Sequence, residues 1–256
     1  MSPSDVTVVV ATLTGDGEDF RSCIQSILAC CPKRIYIVTP DENVVRLRRS
    51  FNPLSTSVIE VIGVERANKR LQMIQGLIRS ETAITIFADD DVIWQPTFLI
   101  YLLAAFEDPS VGAAGTCQRL RRVPNPGCWN ILGAFYLERR NFEISATTHI
   151  DGGTACLSGR TSAHRTHILL NRAFIEGFAN EVWLGYIPLG TADDDNFLTR
   201  WMVNHGWKIK IQYCKEAELQ TTFTSDARFL DQCARWSRTT WRSNITSMFI
   251  ERRIWR

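Results

Sequence analysis

No apolar run in this chain approaches the roughly 20 residues that cross a bilayer; the longest, Phe98 to Phe106, has the length of a core segment. No basic-then-apolar segment opens the sequence either, so the polypeptide reads as soluble or peripheral and the sequon Asn244-Ile245-Thr246 as incidental. The eight cysteines include no Cys-x-x-Cys and no Cys/His set at zinc spacing, which excludes a metal knuckle or a redox pair and leaves reduced thiols. Charge is nearly balanced, Lys+Arg 29 against Asp+Glu 27, so the total gives no reason to expect a nucleic-acid partner. Repeats and low-complexity linkers are also missing. With 45% hydrophobic residues, residues 1–256 read as one α/β domain able to bury a sizeable core.

What is present alternates. Val6 to Ala11 is a β-branched run that breaks at Thr14-Gly15-Asp16-Gly17, reading as strand then loop. Phe20, Ile24, Ile27 and Leu28 recur at helical spacing up to Cys30-Cys31-Pro32. Arg34 to Val38 is a second strand, stopped by Pro40, and Val58 to Val64 a third. Leu71, Ile74 and Ile78 mark a helix face, and Ala83 to Ala88 a fourth strand. Strand, helix, strand, strand, helix, strand predicts a doubly wound, mostly parallel sheet. Pro96 opens a predicted helix through Phe106, followed by a strand at Val111 to Gly115. Beyond that the alternation weakens: a loop at Pro124-Asn125-Pro126-Gly127, a helix from Trp129 to Glu143, then Asp151-Gly152-Gly153. The second half reads as an extension that supplies groups to a shared cleft.

Asp89-Asp90-Asp91 directly follows the fourth strand, so three carboxylates emerge at a carboxyl end, where open α/β sheets place ligands. Oxygen ligands without His or Cys suit Mg2+ or Mn2+, ions that accompany phosphates; the competing reading is a solvated acidic turn. A second triplet, Asp193-Asp194-Asp195, precedes Asn196-Phe197-Leu198-Thr199-Arg200. It fits a helix cap, or a general base whose pKa is set by its surroundings. No helix breaker interrupts Ala227 to Ile245, where Gln232, Arg235 and Trp236 stand at i, i+3 and i+4 and Arg238 and Arg242 extend a basic stripe. Arg suits diphosphate oxygens, and Trp the C–H face of a sugar. From Arg228 to Arg256, seven Arg with Trp236, Trp241 and Trp255 face only Asp231 and Glu251.

In this order, Asp89-x-Asp91, Ser158-Gly159-Arg160, Asp194-Asp195 before Asn-Phe-Leu-Thr-Arg, and Gln232-x-x-Arg235-Trp236 resemble the family-2 inverting glycosyltransferases. The likeness is to processive polysaccharide synthases of the hyaluronan, chitin and cellulose type, above all hyaluronan synthases and fungal capsule-type synthases. It covers nearly the whole chain and implies a GT-A-like (Rossmann-like) fold with a nucleotide-sugar half, 1–115, and an acceptor-side half, 116–256. The resemblance implies that Asp89 and Asp91 hold the diphosphate of a UDP-sugar through Mn2+ or Mg2+, with Asp90 as spacer. It likewise makes Lys69, in Asn68-Lys69-Arg70, a diphosphate contact and Thr12 a nucleotide-facing residue. Asp195 becomes the catalytic base, with Asp194, Ser158 and Gly159 lining the substrate site. Gln232, Arg235 and Trp236 would hold the diphosphate and stack an oligosaccharide or polysaccharide acceptor.

Two departures stand out. The acidic residue that the family uses for the nucleobase after its second strand is replaced by Thr39-Pro40, leaving Asp41 as the substitute. Channel-forming membrane helices are lacking in this sequence, so the resemblance implies a catalytic portion or short relative, membrane-associated on the cytoplasmic side. On residues alone, clustered aspartates also fit a metal-dependent phosphoryl-transfer enzyme. A binding module tracking single-stranded nucleic acid fits the Arg/Trp-rich end but leaves both acidic triplets unexplained. A non-catalytic fragment is the remaining alternative.

Overall fold

The computed structural model describes residues 1–51, 57–151, 154–190 and 193–252. In chain order its first half runs β1 (Val6–Ala11), α1 (Gly17–Ala29), β2 (Arg34–Pro40), α2 (Asp41–Phe51), β3 (Ile59–Val64), α3 (Lys69–Leu77), β4 (Ile84–Ala88), β5 (Ile93–Trp94), α4 (Phe98–Leu103) and β6 (Val111–Thr116). The second half runs β7 (Gln118–Leu120), α5 (Cys128–Asp151), β8 (Thr161–Arg165), α6 (Thr166–Leu169), α7 (Arg172–Ala179), β9 (Val182–Trp183), β10 (Ile187–Pro188), α8 (Asp194–Asn204), β11 (Lys208–Gln212), β12 (Leu219–Thr221) and α9 (Arg228–Ile245).

Seven strands form one sheet in the order β11-β6-β8-β4-β1-β2-β3, parallel except for β8, which is antiparallel to both neighbours. Because side chains alternate faces, the Val run of β1 serves two cores. Val8 and Val10 pack with Phe20, Ile24, Ile27 and Phe98, while Val9 packs with Met73, Leu77, Phe174 and Met202. Burial on both faces is why this strand reads as continuous rather than alternating. Helix α3 sits very close to β1 at Gly76, where a Cβ would fall 2.4 Å from Val9 Cγ1. Lys69, the first residue of α3, stands at the carboxyl edge of the sheet because α3 follows β3.

The fold is the expected GT-A-like one, and the differences are local. The sequence reading passes directly from the second to the third strand, whereas α2 lies between them. Its signals are present: Val44, Leu47 and Phe51 share a buried face, with acids in the first turn and Arg48 and Arg49 in the last. Pro96 precedes α4 rather than opening it, and a 3-10 turn at Ala104–Glu107 completes that segment. Helix α5 runs to Asp151, past the expected Glu143; Gly152 and Gly153 lie outside the described residues. The antiparallel β8 and the small sheet β5-β12-β7 were not anticipated, because strands of two to five residues leave too short a pattern to read.

Candidate active site

The site assembles at the carboxyl ends of β1 and β4. Thr12 donates from Oγ1 to Asp90 Oδ2 at 2.6 Å and accepts from the Gly15 amide at 2.9 Å. Asp90, read as a spacer, therefore ties the first triplet to the loop after β1. The amide of buried Gln72 donates to the Thr12 and Val38 carbonyls at 2.8 and 2.7 Å, bracing the same loop from α3. Lys69 Nζ lies 2.8 Å from Asp89 Oδ1 and 2.9 Å from Asp194 Oδ2, so one ammonium joins the two acidic triplets. Burial alone would pull this amine down, but the Asp194 and Asp89 carboxylates hold it above the usual lysine value.

The antiparallel pairing of β8 with β4 brings in Ser158-Gly159-Arg160. Ala88 stands opposite Thr161, and the Asp89 amide donates to the Arg160 carbonyl at 2.9 Å. Gly159 packs against the second triplet: a Cβ there would meet Asp195 Cβ at 3.4 Å. Asp195 itself, in the first turn of α8, accepts at Oδ1 from the Asn196 amide at 2.8 Å. Burial and the neighbouring Asp194 charge raise its carboxyl above the usual range, while Arg140 and Lys69 oppose the shift. Arg140 reaches this region from α5, donating to Ser158 Oγ at 3.1 Å and to the Cys156 carbonyl at 3.2 Å. Cys156 lies beside Asp195, and burial pushes its thiol well above the usual range, which keeps it protonated.

Asp91 is pushed up to about 6 by burial and by Asp89, with Arg160 opposing, and it accepts a hydrogen bond from Thr222 Oγ1 at 3.2 Å. The signature helix divides its three residues. Trp236 packs on Tyr136 and Phe223, at centroid separations of 5.2 and 5.5 Å, with the Arg160 guanidinium 5.3 Å from its ring. Gln232 Oε1 accepts from Thr224 at 3.2 Å. Arg235 is exposed, about 100° around the helix from Trp236. Asp41 opens α2 at the same sheet edge as Thr12, its carboxylate occupying the space beside Gly63. Arg140, Gln72, Thr222 and Tyr136 escaped the sequence reading because they belong to no local pattern. Arg242, assigned to a basic stripe, instead pairs with buried Asp193 at 3.2 Å.

Among the described residues no group of three or more His, Cys, Asp or Glu is arranged to hold a metal. The pair Asp89 and Asp91 nevertheless suits Mg2+ or Mn2+, ions that bind through one or two carboxylates and complete their shell with phosphate and water. Burial first and the Asp89 charge second raise Asp91, and a cation bound there would offset both.

The edge of a GT-A sheet thus holds two acidic groups joined by one lysine. The sequence profile described as "Glycosyltransferase like family 2" matches residues 3–239, and the chain belongs to that family. A "Type 2 glycosyltransferase" of Gibberella zeae is 50% identical over 256 residues, covering 98% of this chain and 48% of that protein. "NDP-glycosyltransferase ltbB" of Aspergillus luteorubrus is 34% identical over 97% of this chain and 63% of its own length. A hyaluronan synthase of Streptococcus pyogenes is 23% identical over 95% and 58% respectively. The chain thus spans about half the length of the first curated relatives it matches.

Among solved structures, the mannosyltransferase PcManGT of Pyrobaculum calidifontis, in complex with GDP-Man and Mn2+, superposes with a TM-score of 0.67 at 15% identity, covering 96% of this chain and 66% of that one. Glucosyl-3-phosphoglycerate synthase of Mycobacterium tuberculosis, with Mn2+, UDP and phosphoglyceric acid, gives 0.57 at 16% identity, covering 96% and 78%.

Proposed function

We propose that this chain transfers a sugar from a UDP-sugar to a hydroxyl of an oligosaccharide or polysaccharide acceptor, with inversion, in polysaccharide synthesis. The observation that carries the reading is Lys69, whose ammonium bridges Asp89 of the donor-side triplet and Asp194 beside Asp195. In this reading the donor diphosphate and the base meet at that lysine. The acceptor oxygen attacks the anomeric carbon, its proton passes to Asp195, and the bond from that carbon to the diphosphate breaks. The raised pKa of Asp195 suits a base that must receive a proton near neutral pH. Charge grows on the departing UDP, where Lys69 and Arg235 supply cations. A divalent cation at Asp89 and Asp91 would neutralise the same diphosphate. Thr12 and Asp41 stand at the edge assigned to the nucleoside, Ser158 and Gly159 line the cleft, and Gln232 and Trp236 face the acceptor. The Mn2+ in both structural neighbours, and the UDP in one, support the donor chemistry.

The acceptor-side half rests against a membrane on the cytoplasmic side in this reading. Among the described residues no helix is long and apolar enough to cross a membrane, but α5 turns Ile131, Phe135 and Phe142 outward on the side opposite buried Leu137, Asn141 and Ile144. The test of activity is incubation with Mn2+ or Mg2+ against a panel of UDP-sugars, with and without oligosaccharide acceptors. Acceptor-dependent UDP release is expected; phosphoester hydrolysis without any sugar acceptor would favour phosphoryl transfer instead.

A further inference from the structure

A closed ring of buried and part-buried polar contacts runs behind the site. Arg70, which follows Lys69, is 1% exposed; it donates from Nη1 to the Phe178 carbonyl at 2.9 Å and from Nη2 to Glu181 Oε2 at 2.6 Å. The other oxygen of Glu181 accepts from Arg200 Nη2 on α8. Arg200, also buried, donates from Nη1 to Ser243 Oγ on α9 at 2.7 Å and from Nε to Glu251 Oε1 at 3.1 Å. Beside Ser243, Arg242 pairs with Asp193 at the start of α8, and Asp194 returns to Lys69. Three helices that carry reacting or binding groups in the proposed reaction are joined by this circuit: α3 with Lys69, α8 with Asp195, α9 with Gln232 and Trp236.

Stability does not account for such an arrangement. Taking an Arg–Glu–Arg set out of water costs about what its attraction returns, and apolar side chains of similar volume often hold a fold equally well. Geometry is what an apolar cluster does not supply. A carboxylate accepting from two guanidinium forks sets distance and angle, whereas methyl groups slide. The quantity set here is the separation of α3 from α8, and hence of the diphosphate lysine from the base. Misplacement of such groups by about 1 Å costs on the order of 100-fold in rate.

We propose that Glu181, with Arg70 and Arg200, is a positioning device that fixes the base helix α8 against the donor helix α3 and locks α9 to both. The proposal rests on the transferase reading in which Asp195 is the base. All three side chains are largely buried behind the cleft, so they act through Lys69 and Asp195.

Glu181→Gln leaves two buried guanidinium groups short of charge and risks unfolding, so the main variant is the triple Arg70→Met, Glu181→Leu, Arg200→Met. A second variant, Arg200→Lys, keeps the charge but cannot reach Glu181, Ser243 and Glu251 together. Each is compared with the parent for thermal melting, Mn2+-dependent UDP affinity, kcat and KM, and hydrogen exchange in the first turn of α8. For the triple variant we expect near-parental melting and UDP affinity, faster exchange at residues 194–197, and kcat lower by roughly 100-fold; for Arg200→Lys, roughly tenfold. Parental kcat and exchange in a folded triple variant, or in Arg200→Lys if the triple does not fold, would overturn the proposal. Faster exchange in α8 when even the parent transfers no sugar supports the positioning role while overturning the transferase reading.

Discussion

The two halves of the chain deliver groups to the cleft by different means. In residues 1–115 each group stands at a strand tip or in the first turn of a helix: Thr12 after β1, Lys69 opening α3, the first triplet after β4. The backbone ladder places them, as it does in any doubly wound sheet. In the remainder, Asp194 and Asp195 also open a helix, but the segments around them are held by side chains: Arg140 to Ser158, Arg160 to Gln118 and Thr221, Arg200 to Glu181. A ladder tolerates substitution at its exposed tips, while a side-chain network passes a change in one member to all. Chemistry and scaffold are therefore more nearly separable in the first half than in the second.

The largest effect expected of any single change is that of Asp195→Asn. The amide keeps the shape but cannot take the acceptor's proton, so kcat should fall about 10³-fold, while UDP affinity stays within about twofold because the other half holds the donor. Loss of affinity alongside turnover would break the division between halves. Full retained activity would move the base to Asp194.

Asp91→Asn, or a chelator in place of the metal, sharpens the comparison from the opposite side. UDP and the first triplet are both anionic, so calorimetry should show affinity falling on the order of 100-fold, with melting unchanged because Asp91 sits at a strand tip. Undiminished UDP binding in chelator would reduce the first triplet to a polar turn.

Legibility in the sequence follows the same divide. Strands buried on both faces announce themselves as β-branched runs, and the acids at their ends inherit a known place, so β1, β4 and Asp89 to Asp91 were readable. The signature helix was readable over nearly its full extent because nothing between Ala227 and Ile245 breaks it. Opaque were elements whose meaning lies in partners distant in the chain. β8 is five residues long and antiparallel, yet its pairing with β4 brings Ser158 to Arg160 beside Asp89. Arg140 and Glu181 are ordinary charged residues until the fold brings them against Ser158 and Arg200. The helix α2 was missed for a lesser reason: its caps and buried face are local signals, overlooked between two strong strands.

At the seam between halves lies His164, fully buried on β8 between β4 and β6, its Nε2 3.0 Å from Ser162 Oγ. Burial lowers its pKa from 6.5 to about 3. Between those values the unfolded chain binds a proton that the folded chain refuses, so stability present above pH 6.5 is lost as pH falls toward 3. By pH 5 the loss should be on the order of 1–2 kcal/mol, read from urea midpoints. Removing this ionisable side chain in His164→Gln should flatten the slope. An equal slope in both proteins would place the acid sensitivity elsewhere.

The smallest effect concerns surfaces. Both halves leave apolar side chains in contact with solvent, Leu13 and Ile100 in the first among them, but the second gathers Ile131, Phe135 and Phe142 on one face of α5 and adds Trp241 of α9 with Phe249 and Ile250 beyond it. Arg235 and Arg238 are exposed on α9, and Arg253, Trp255 and Arg256 lie outside the described residues. Apolar and aromatic groups beside exposed arginines are what a membrane interface takes up, each cation contributing about 1 kcal/mol at an anionic surface. Flotation with anionic vesicles should recover part of the protein in the lipid fraction, less as salt is added, and less again when residues 247–256 are removed. Phe142→Glu should lower recovery without changing UDP affinity, because that face lies opposite the buried side of α5. Equal recovery of parent, truncated and Phe142→Glu proteins in the soluble fraction would detach the acceptor half from any lipid surface and leave its apolar face to another partner.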